Sequence, residues 1–344
     1  MHYPYLSVIV LFIINSYSFS QIFEGTYIAE EDYSNFKSSK LYVVTELLDE
    51  DYDEQMRESL EKYWTFSEYT FIDSVLFRTM SYNTDVKSYF LVPSPSVIYL
   101  SGSEDGFRLK SMSIHLKIIK GSPTMYEYIL KNGKDPALRG GIHQNRGGIA
   151  NVFYRFGSMR NSSSINLEKL GLTQKYIDSL MNQSESQAHP NSESFPEELM
   201  IPIFIKNLQL QCNTIKPGKF FNGANRSKKI ENGSPQIHQG PIYILDTDLN
   251  PIIASIEDIK SKYKGDVEVV SKERYNELIE SGSDINIFFS FDNNGYNYGT
   301  IFNVKTGDLI FFLRTPVHKK SPTGLVPSHL RKWESSRKRS KSKK

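Results

Sequence analysis

The stretch 240–280, GPIYILDTDLNPIIASIEDIKSKYKGDVEVVSKERYNELIE, decides the fold. Its apolar run at 242–245 predicts a buried strand, and the Val-rich segment 267–270 predicts a second strand. Between these runs, apolar residues recur at helical spacing and predict a helix that begins at Pro251, with Asn250 as its N-cap. A strand, a helix and a second strand imply a parallel pair of strands with a right-handed connection.

The same unit continues to residue 315. Ser271 is predicted to cap a second helix, which ends at Gly282. A hairpin loop at 305–308 separates the last two strands, so the order of elements is β-α-β-α-β-β-β. The three additional strands are predicted at 285–291, 299–304 and 309–313.

A fainter version of this order occupies residues 41–133. LYVVT (41–45) and EKYWTFSEYTFI (61–72) share their pattern with IYILD and SKYKGDVEVV of the second unit. We therefore predict an α/β protein of two related β-α-β-α-β-β units, joined by an irregular, Gly/Ser-rich and partly helical segment at 134–240. A thioredoxin-like order is compatible with this pattern, but the chain has no Cys-x-x-Cys motif, so no redox activity follows.

These motifs resemble a family of uncharacterised exported proteins of Bacteroidota-type bacteria. The resemblance covers mainly the two α/β units, about half of the chain, and its motifs are structural. It implies an exported tandem α/β protein and transfers no catalytic residue.

Residues 1–20 predict a signal peptide that is cleaved after Ser20. The segment has no acidic side chain, and its apolar run at 5–14 is shorter than the about 20 residues of a membrane span. Its start also lacks Lys and Arg, so an N-terminal core strand is the alternative. We expect a periplasmic or secreted protein with a polar N-terminal arm at 21–40 and no transmembrane span in the mature chain.

The chain has a single cysteine, Cys212, so an internal disulfide is excluded. An exported chain without disulfides favours a bacterial setting. Because Cys212 lies within an apolar stretch, we predict a buried small side chain rather than a nucleophile.

The net charge of +2 is unevenly distributed, because basic residues concentrate at the C-terminal end. We predict a basic disordered tail at 316–344. Its function is either that of a solvated chain end or that of a tether to a polyanion such as lipid headgroups, surface polysaccharide or nucleic acid. The basic residues at 331–344 are Arg331, Lys332, Arg337, Lys338, Arg339, Lys341, Lys343 and Lys344.

The strongest chemical candidate is Asp246-Thr247-Asp248, directly after an apolar strand. It resembles the way in which haloacid-dehalogenase-like phosphatases present their nucleophile, with the first Asp attacking phosphorus and the second acting as acid and base. The alternative is a polar turn between a strand and a helix, in which the carboxylates cap the helix.

The same residues also resemble a calcium-binding loop. Asp246, Asp248, Asn250 and Glu257 stand at the first, third, fifth and twelfth positions of such a loop. The sixth position is Pro251, where the loop needs glycine for its sharp turn. The element before the loop is also a strand, so this match is weak.

The segment 140–148 is rich in glycine and contains His143 and Arg146. It is a candidate anion-binding nest, in which Arg146 and backbone amides face a phosphate or carboxylate. The alternative is a mobile glycine-rich loop with a solvated histidine. Histidine spacing elsewhere indicates no metal site, and no motif indicates a cofactor.

Two hypotheses of function follow. The first is an exported, non-catalytic binding or envelope-associated protein. The second is a metal-dependent phosphoryl-transfer or hydrolytic enzyme centred on Asp246 and Asp248. The enzyme hypothesis requires both carboxylates to converge on an open pocket with a third acidic group, whereas the first expects them to be exposed or used for capping.

Overall fold

The computed structural model describes residues 28–47, 50–83, 88–103, 106–121, 148–154, 197–219, 230, 235–253, 255–293, 296–316 and 324–341. The predicted signal peptide and the predicted anion-binding residues His143 and Arg146 lie outside these ranges.

The first sheet has five strands in the order β2-β1-β3-β4-β5. β2 and β3 run parallel to β1, and Leu41 lies opposite both Tyr69 and Tyr89. β4 and β5 complete the sheet in antiparallel pairing. The strands are β1 (Leu41–Val44), β2 (Tyr69–Ile72), β3 (Tyr89–Ser103), β4 (Gly106–Lys120) and β5 (Gly148–Tyr154).

The second sheet repeats this arrangement in the order β7-β6-β8-β9-β10. Ile242 lies opposite Val267 and Asn286 in two parallel pairs, and β9 and β10 are antiparallel. The predicted α/β class with two units is therefore confirmed. The strands are β6 (Ile242–Leu245), β7 (Val267–Val270), β8 (Asn286–Asn293), β9 (Tyr296–Asn303) and β10 (Leu309–Pro316).

Seven α-helices of the described ranges surround the two sheets. None of these helices combines the length and the apolar composition that crossing a bilayer requires. The helices are α1 (Glu30–Ser38), α2 (Glu50–Tyr63), α3 (Ser74–Tyr82), α4 (Ile201–Thr214), α5 (Ile256–Lys262), α6 (Lys272–Ser281) and α7 (Pro327–Lys341).

Side chains cap the helices of the second unit. The Ser271 hydroxyl accepts a hydrogen bond from the Arg274 amide at 3.4 Å, and Gly282 ends α6 in the left-handed conformation, as predicted. The predicted N-cap Asn250 is wrong, because α5 begins after Ser255, whose hydroxyl accepts from the Asp258 amide.

The reason for this error lies in the turn that precedes α5. The Asn250 side-chain oxygen accepts a hydrogen bond from the Ile252 amide at 2.9 Å and closes a local turn there. Ile252 is 48% exposed and does not belong to the apolar face of α5.

α4 lies between the two units and closes a core that both share. The Phe204 ring contacts Phe289 and Phe302 of the second sheet at 6.2 and 5.9 Å, and the same helix packs against α2 and β5 of the first unit. The Lys206 ammonium donates to the Val304 carbonyl, and the Asn207 side-chain amide donates to the Gly307 carbonyl, both at 2.7 Å. The predicted connecting segment thus supplies the central helix of the fold.

The opposite face of the second sheet carries a separate core under α5 and α7. Along β8, Ile287 and Phe289 face the shared core, while Phe288 faces this second core. The Trp333 indole of α7 packs edge-on against the Phe288 and Phe311 rings at 5.6 and 5.9 Å. This packing fixes α7 on the sheet.

The first unit extends beyond its predicted end at residue 133, since β5 pairs with β4. β3 and β4 are continuous 15-residue strands, and β3 runs through Pro93 and Pro95. β1 pairs with β3 only up to Leu91. Beyond that point β3 is an edge strand on this side, where proline is tolerated.

Two segments that were predicted to lack packed structure form helices. α1 lies within the predicted arm at 21–40, and its fully buried Phe36 contacts the Tyr89 ring at 5.1 Å. α7 lies within the predicted disordered tail at 316–344, and its Leu330 and Trp333 are fully buried. The predictions weighed overall composition, but a few apolar residues on one face are enough to hold a helix.

Candidate functional site

Asp246 and Asp248 lie in a short 3-10 turn at the carboxyl end of β6. The strand order reverses here, because β7 pairs on one side of β6 and β8 on the other. In open α/β sheets, the edge beyond such a reversal is where ligands usually bind. The position of these two residues therefore makes this edge a candidate site.

The two carboxylates have different surroundings. Asp246 is exposed, and its Oδ1 accepts a hydrogen bond from the Thr247 amide at 2.7 Å. Asp248 is only 7% exposed, and its carboxylate accepts from the Ser290 hydroxyl at 2.7 Å and from the Ser290 amide at 3.2 Å. Asp246 thus stabilises its own turn, while Asp248 binds the neighbouring strand β8.

Burial raises the pKa of Asp248 to about 7, although the two hydrogen bonds from Ser290 act in the opposite direction. The buried Tyr275 phenol also has a raised pKa, first because of its burial and second because of the nearby Asp248 charge. A carboxyl group with a pKa near 7 has the right strength for proton transfer. Its hydrogen bonds, however, go to the protein interior.

The described residues do not bring Asp246 and Asp248 together with a third acidic group. Within the described ranges, no group of three or more His, Cys, Asp or Glu side chains is placed to hold a metal ion. For the calcium loop, the Asn250 side-chain oxygen is already used by the Ile252 amide, and Glu257 lies exposed on α5.

The backbone around Asp248 anchors the start of α7. The Asp248 carbonyl accepts a hydrogen bond from the Leu325 amide at 2.7 Å, and the Asn297 side chain donates to the Gly324 carbonyl at 2.6 Å. Gly324 has φ +96°, and a Cβ at this position would lie 2.5 Å from the Asp248 carbonyl oxygen. This edge of the sheet therefore serves as the attachment point of α7.

His329 lies on the buried side of α7. Its ring is 5.6 Å from the Phe288 ring and 6.5 Å from the Phe311 ring, and its Nδ1 accepts from the Val326 amide at 3.2 Å. Burial lowers the pKa of His329 to about 3, so the imidazole is neutral at physiological pH. Gly299 leaves room for the ring, because a Cβ there would lie 2.5 Å from it.

The outer side of α7 carries a basic surface, which we call the basic face. It consists of five exposed residues: Arg331, Lys332, Ser335, Lys338 and Arg339. At 3.6 residues per turn these positions share an arc of about 120°. The basic face thus presents four cations and no carboxylate.

The acidic residue of α7 is neutralised within the protein. The Glu334 carboxylate accepts two hydrogen bonds from the Arg337 guanidinium and one from the Lys264 amide at 3.0 Å. The Arg337 guanidinium holds the pKa of Glu334 well below its usual value, at about 2. Glu334 therefore does not offset the charge of the basic face.

Both flanks of α7 are covered. On one side, the bond between Lys264 and Glu334 joins it to the end of α5. On the other side, His238 of the 3-10 turn Pro235–His238 contacts the Ser336 hydroxyl at 3.4 Å and the Tyr263 hydroxyl at 3.1 Å. Among the described residues of α7, those of the outer arc are the exposed ones.

The other residues that the sequence analysis singled out are Cys212 and the rest of the predicted basic tail. Arg337 of the predicted tail is used in the ion pair with Glu334. Cys212 is buried as expected, and burial raises the pKa of its thiol. The Lys341 side chain, Lys343 and Lys344 lie outside the described side chains.

Sequence reasoning missed the residues around Asp248, since Ser290, Asn297 and His329 are distant in the chain and belong to no motif. In the comparisons with known proteins, no family model, curated protein or solved structure matches this chain. The sheet edge at Asp248 and the basic face of α7 are the two features of the described structure that bear on function.

Proposed function

We propose that this is an exported, envelope-associated protein that binds polyanions without catalysis, through the basic face of α7. The observation that carries the proposal is the set of four exposed cations, Arg331, Lys332, Lys338 and Arg339, on one arc of a packed helix. Such a surface attracts polyanions and raises their local concentration.

The packing of α7 supports this function. Trp333 and Leu330 are fully buried, and Glu334 and Arg337 hold the adjacent turn. The cations therefore stand on a helix that is already ordered before a partner arrives. Preorganisation of this kind lowers the entropy cost of binding.

The identical strand order of the two sheets supports a tandem repeat, and we propose that the two units derive from one ancestral β-α-β-α-β-β unit. The first twenty residues, as a signal peptide, would deliver the chain to an envelope that is rich in polyanions.

The alternative enzyme has less support. The carboxylates of Asp246 and Asp248 do not act together, since one stabilises its own turn and the other binds Ser290. The binding hypothesis expected exposed or capping carboxylates, which fits the exposed Asp246, whereas Asp248 is buried and binds β8.

The test is retention of the full protein on a sulfated polysaccharide column, eluted with a salt gradient. The test variant changes Arg331, Lys332, Lys338 and Arg339 to Gln. The control variant changes the exposed Lys37, Lys40, Lys216 and Lys219 to Gln and has the same net charge. We expect the test variant to elute at clearly lower salt than the control. Equal elution of the two variants would refute the proposal.

A further inference from the structure

We propose that the partner of the basic face is a flat array of lipid phosphates, the headgroup surface of an anionic phospholipid bilayer. This inference rests on the proposed function and names the polyanion. It is argued from the shape of the surface around α7, from the second helix beside it and from the location of its apolar residues.

The cations of the basic face form two parallel rows along the helix. Arg331 and Lys338 make one row and Lys332 and Arg339 the other. The members of each row are about 10 Å apart along the axis, because each residue rises 1.5 Å. Two rows over two turns match a partner that offers charge in two dimensions rather than along a single line.

The positive surface continues onto α5. Lys260 and Lys264 are exposed, and the Lys264 amide is bonded to Glu334 of α7. The internally paired Glu334 and Arg337 separate these lysines from the basic face. α5 also has Glu257 and Asp258 in its first turn, and the exposed Asp266 follows Lys264. Lys260 and Lys264 therefore add two cations beside α7, with carboxylates close to them in the chain.

The flanks of α7 argue against a nucleic-acid duplex. A helix with its side chains is about 10–12 Å across and fills a major groove of about 12 Å, so a helix that enters the groove must stand clear on both sides. α7 is flanked by α5 through Lys264 and by the 3-10 turn of His238 through Ser336. A flat surface can reach the outer arc, whereas a groove wall would meet these neighbours.

The apolar residues of α7 do not take part in the contact. Leu330 and Trp333 are fully buried against the second sheet, so they are not available for insertion between acyl chains. Binding would therefore be electrostatic, reversible and weakened by salt, because about 0.15 M salt screens charges beyond about 8 Å. This behaviour differs from that of an amphipathic helix that inserts its apolar face.

The experiment measures co-sedimentation of the full protein with vesicles of mixed phosphatidylglycerol and phosphatidylcholine, and with vesicles of phosphatidylcholine alone. We expect binding only to the anionic vesicles. Substitution of Arg331, Lys332, Lys338 and Arg339 by Gln should weaken the affinity for anionic vesicles roughly 10³-fold. This factor follows from the usual contribution of each cation near an anionic surface. The Lys37, Lys40, Lys216 and Lys219 control should weaken it much less, and unchanged melting temperatures confirm folding of both variants.

Binding of the full protein to a short DNA duplex is measured for comparison with binding to the vesicles. Binding of the duplex as tightly as the vesicles, with the same dependence on the basic face, would overturn the choice of a lipid surface. If the protein is retained on the sulfated polysaccharide but does not bind anionic vesicles, only this inference fails. If neither polyanion binds, the proposed function fails with it.

Discussion

The side chain of Asp248 ties the end of β6 to β8, because its carboxylate accepts hydrogen bonds from both the hydroxyl and the amide of Ser290, at 2.7 and 3.2 Å. The carbonyl of the same residue accepts from the Leu325 amide, just before α7. Asp248 is thus a structural joint between the second sheet and the helix that carries the basic face.

The buried carboxyl group of Asp248 should make the stability of the protein depend on pH. Burial raises the pKa of Asp248 from its ordinary value to about 7, so the folded protein holds this proton more tightly than the unfolded chain. The stabilisation from this group is fully present at acidic pH, below the unfolded pKa, and is lost as pH rises through about 7. Asp248→Asn keeps an oxygen acceptor for Ser290 but does not titrate.

We therefore expect the melting temperature of Asp248→Asn, relative to that of the wild type, to rise between pH 4.5 and 8. The comparison with the wild type cancels the opposite effect of the buried His329, whose pKa is lowered to about 3 by burial. Exposed Asp246→Asn is the control and should follow the wild type. An unchanged difference between Asp248→Asn and wild type across this range would contradict the assignment.

Lys206 should also make stability depend on pH, in the direction opposite to that of Asp248. Burial, and secondarily the nearby Lys62 charge, lower the pKa of Lys206 to about 8, while its Nζ donates to the Val304 carbonyl. The folded state loses this proton more readily than the unfolded chain, so stability rises with pH above about 8. Urea unfolding should show wild type gaining on the order of 1 kcal/mol over Lys206→Met between pH 8 and 10.

Exposed Lys272→Met is the matched control for that experiment and should show no such gain. If wild type and Lys206→Met stay a constant free energy apart through this range, the ammonium of Lys206 does not carry the predicted penalty.

Trp333→Ala should destabilise the second unit strongly. The indole is fully buried against Tyr263, Phe288 and Phe311. Removal of a buried tryptophan side chain costs about 3–5 kcal/mol in the free energy of unfolding. Lys332→Ala, at the exposed neighbouring position, should change it by less than about 0.5 kcal/mol. Urea unfolding distinguishes the two, and equal effects would show that α7 is not held by this face.

Gly299→Ala tests the close packing of His329 on the second sheet. A Cβ at this position would lie 2.5 Å from the imidazole, so the ring or the strand must move, at a cost of about 1–3 kcal/mol. Gly240→Ala, where a Cβ meets nothing within 4 Å, serves as the control. The double variant Gly299→Ala and His329→Ala should cost less than the sum of the single variants. Strict additivity of the two changes would argue against the contact.

β6 was predictable because it is a short, uninterrupted apolar run. The strands at 242–245 and 267–270 have the predicted boundaries in the structure. β6 lies between two neighbours and is mostly buried, whereas the edge strand β7 carries the exposed Glu268. A strand that is covered on both faces needs apolar side chains at nearly every position, which makes such a run easy to recognise.

α7 was harder to predict because its charges hide a sparse apolar pattern. The buried side of α7 consists of His329, Leu330, Trp333 and the small Ser336, among many basic residues. The choice between tail and helix depends on a partner surface, which the second sheet supplies from far away in the chain. Local composition carries no trace of that partner.

The candidate site was predictable only in part. The pair Asp246 and Asp248 was identified from its place after a strand, but the two residues have identical side chains and opposite burial. What separates them is contact with Ser290, 42 positions further along the chain. Spacing within the motif cannot report that contact, so neither the raised pKa of Asp248 nor its role in attaching α7 was foreseen.

The central position of α4 has a consequence for biosynthesis. α4 leaves the ribosome before β8, β9 and β10, so the Phe204 ring lacks its contacts with Phe289 and Phe302 until the second sheet is made. Apolar surface of the first half of the chain therefore stays uncovered until the second half has been synthesised. During this interval a chaperone has access to α4, and a chain that is truncated before residue 286 keeps this surface exposed.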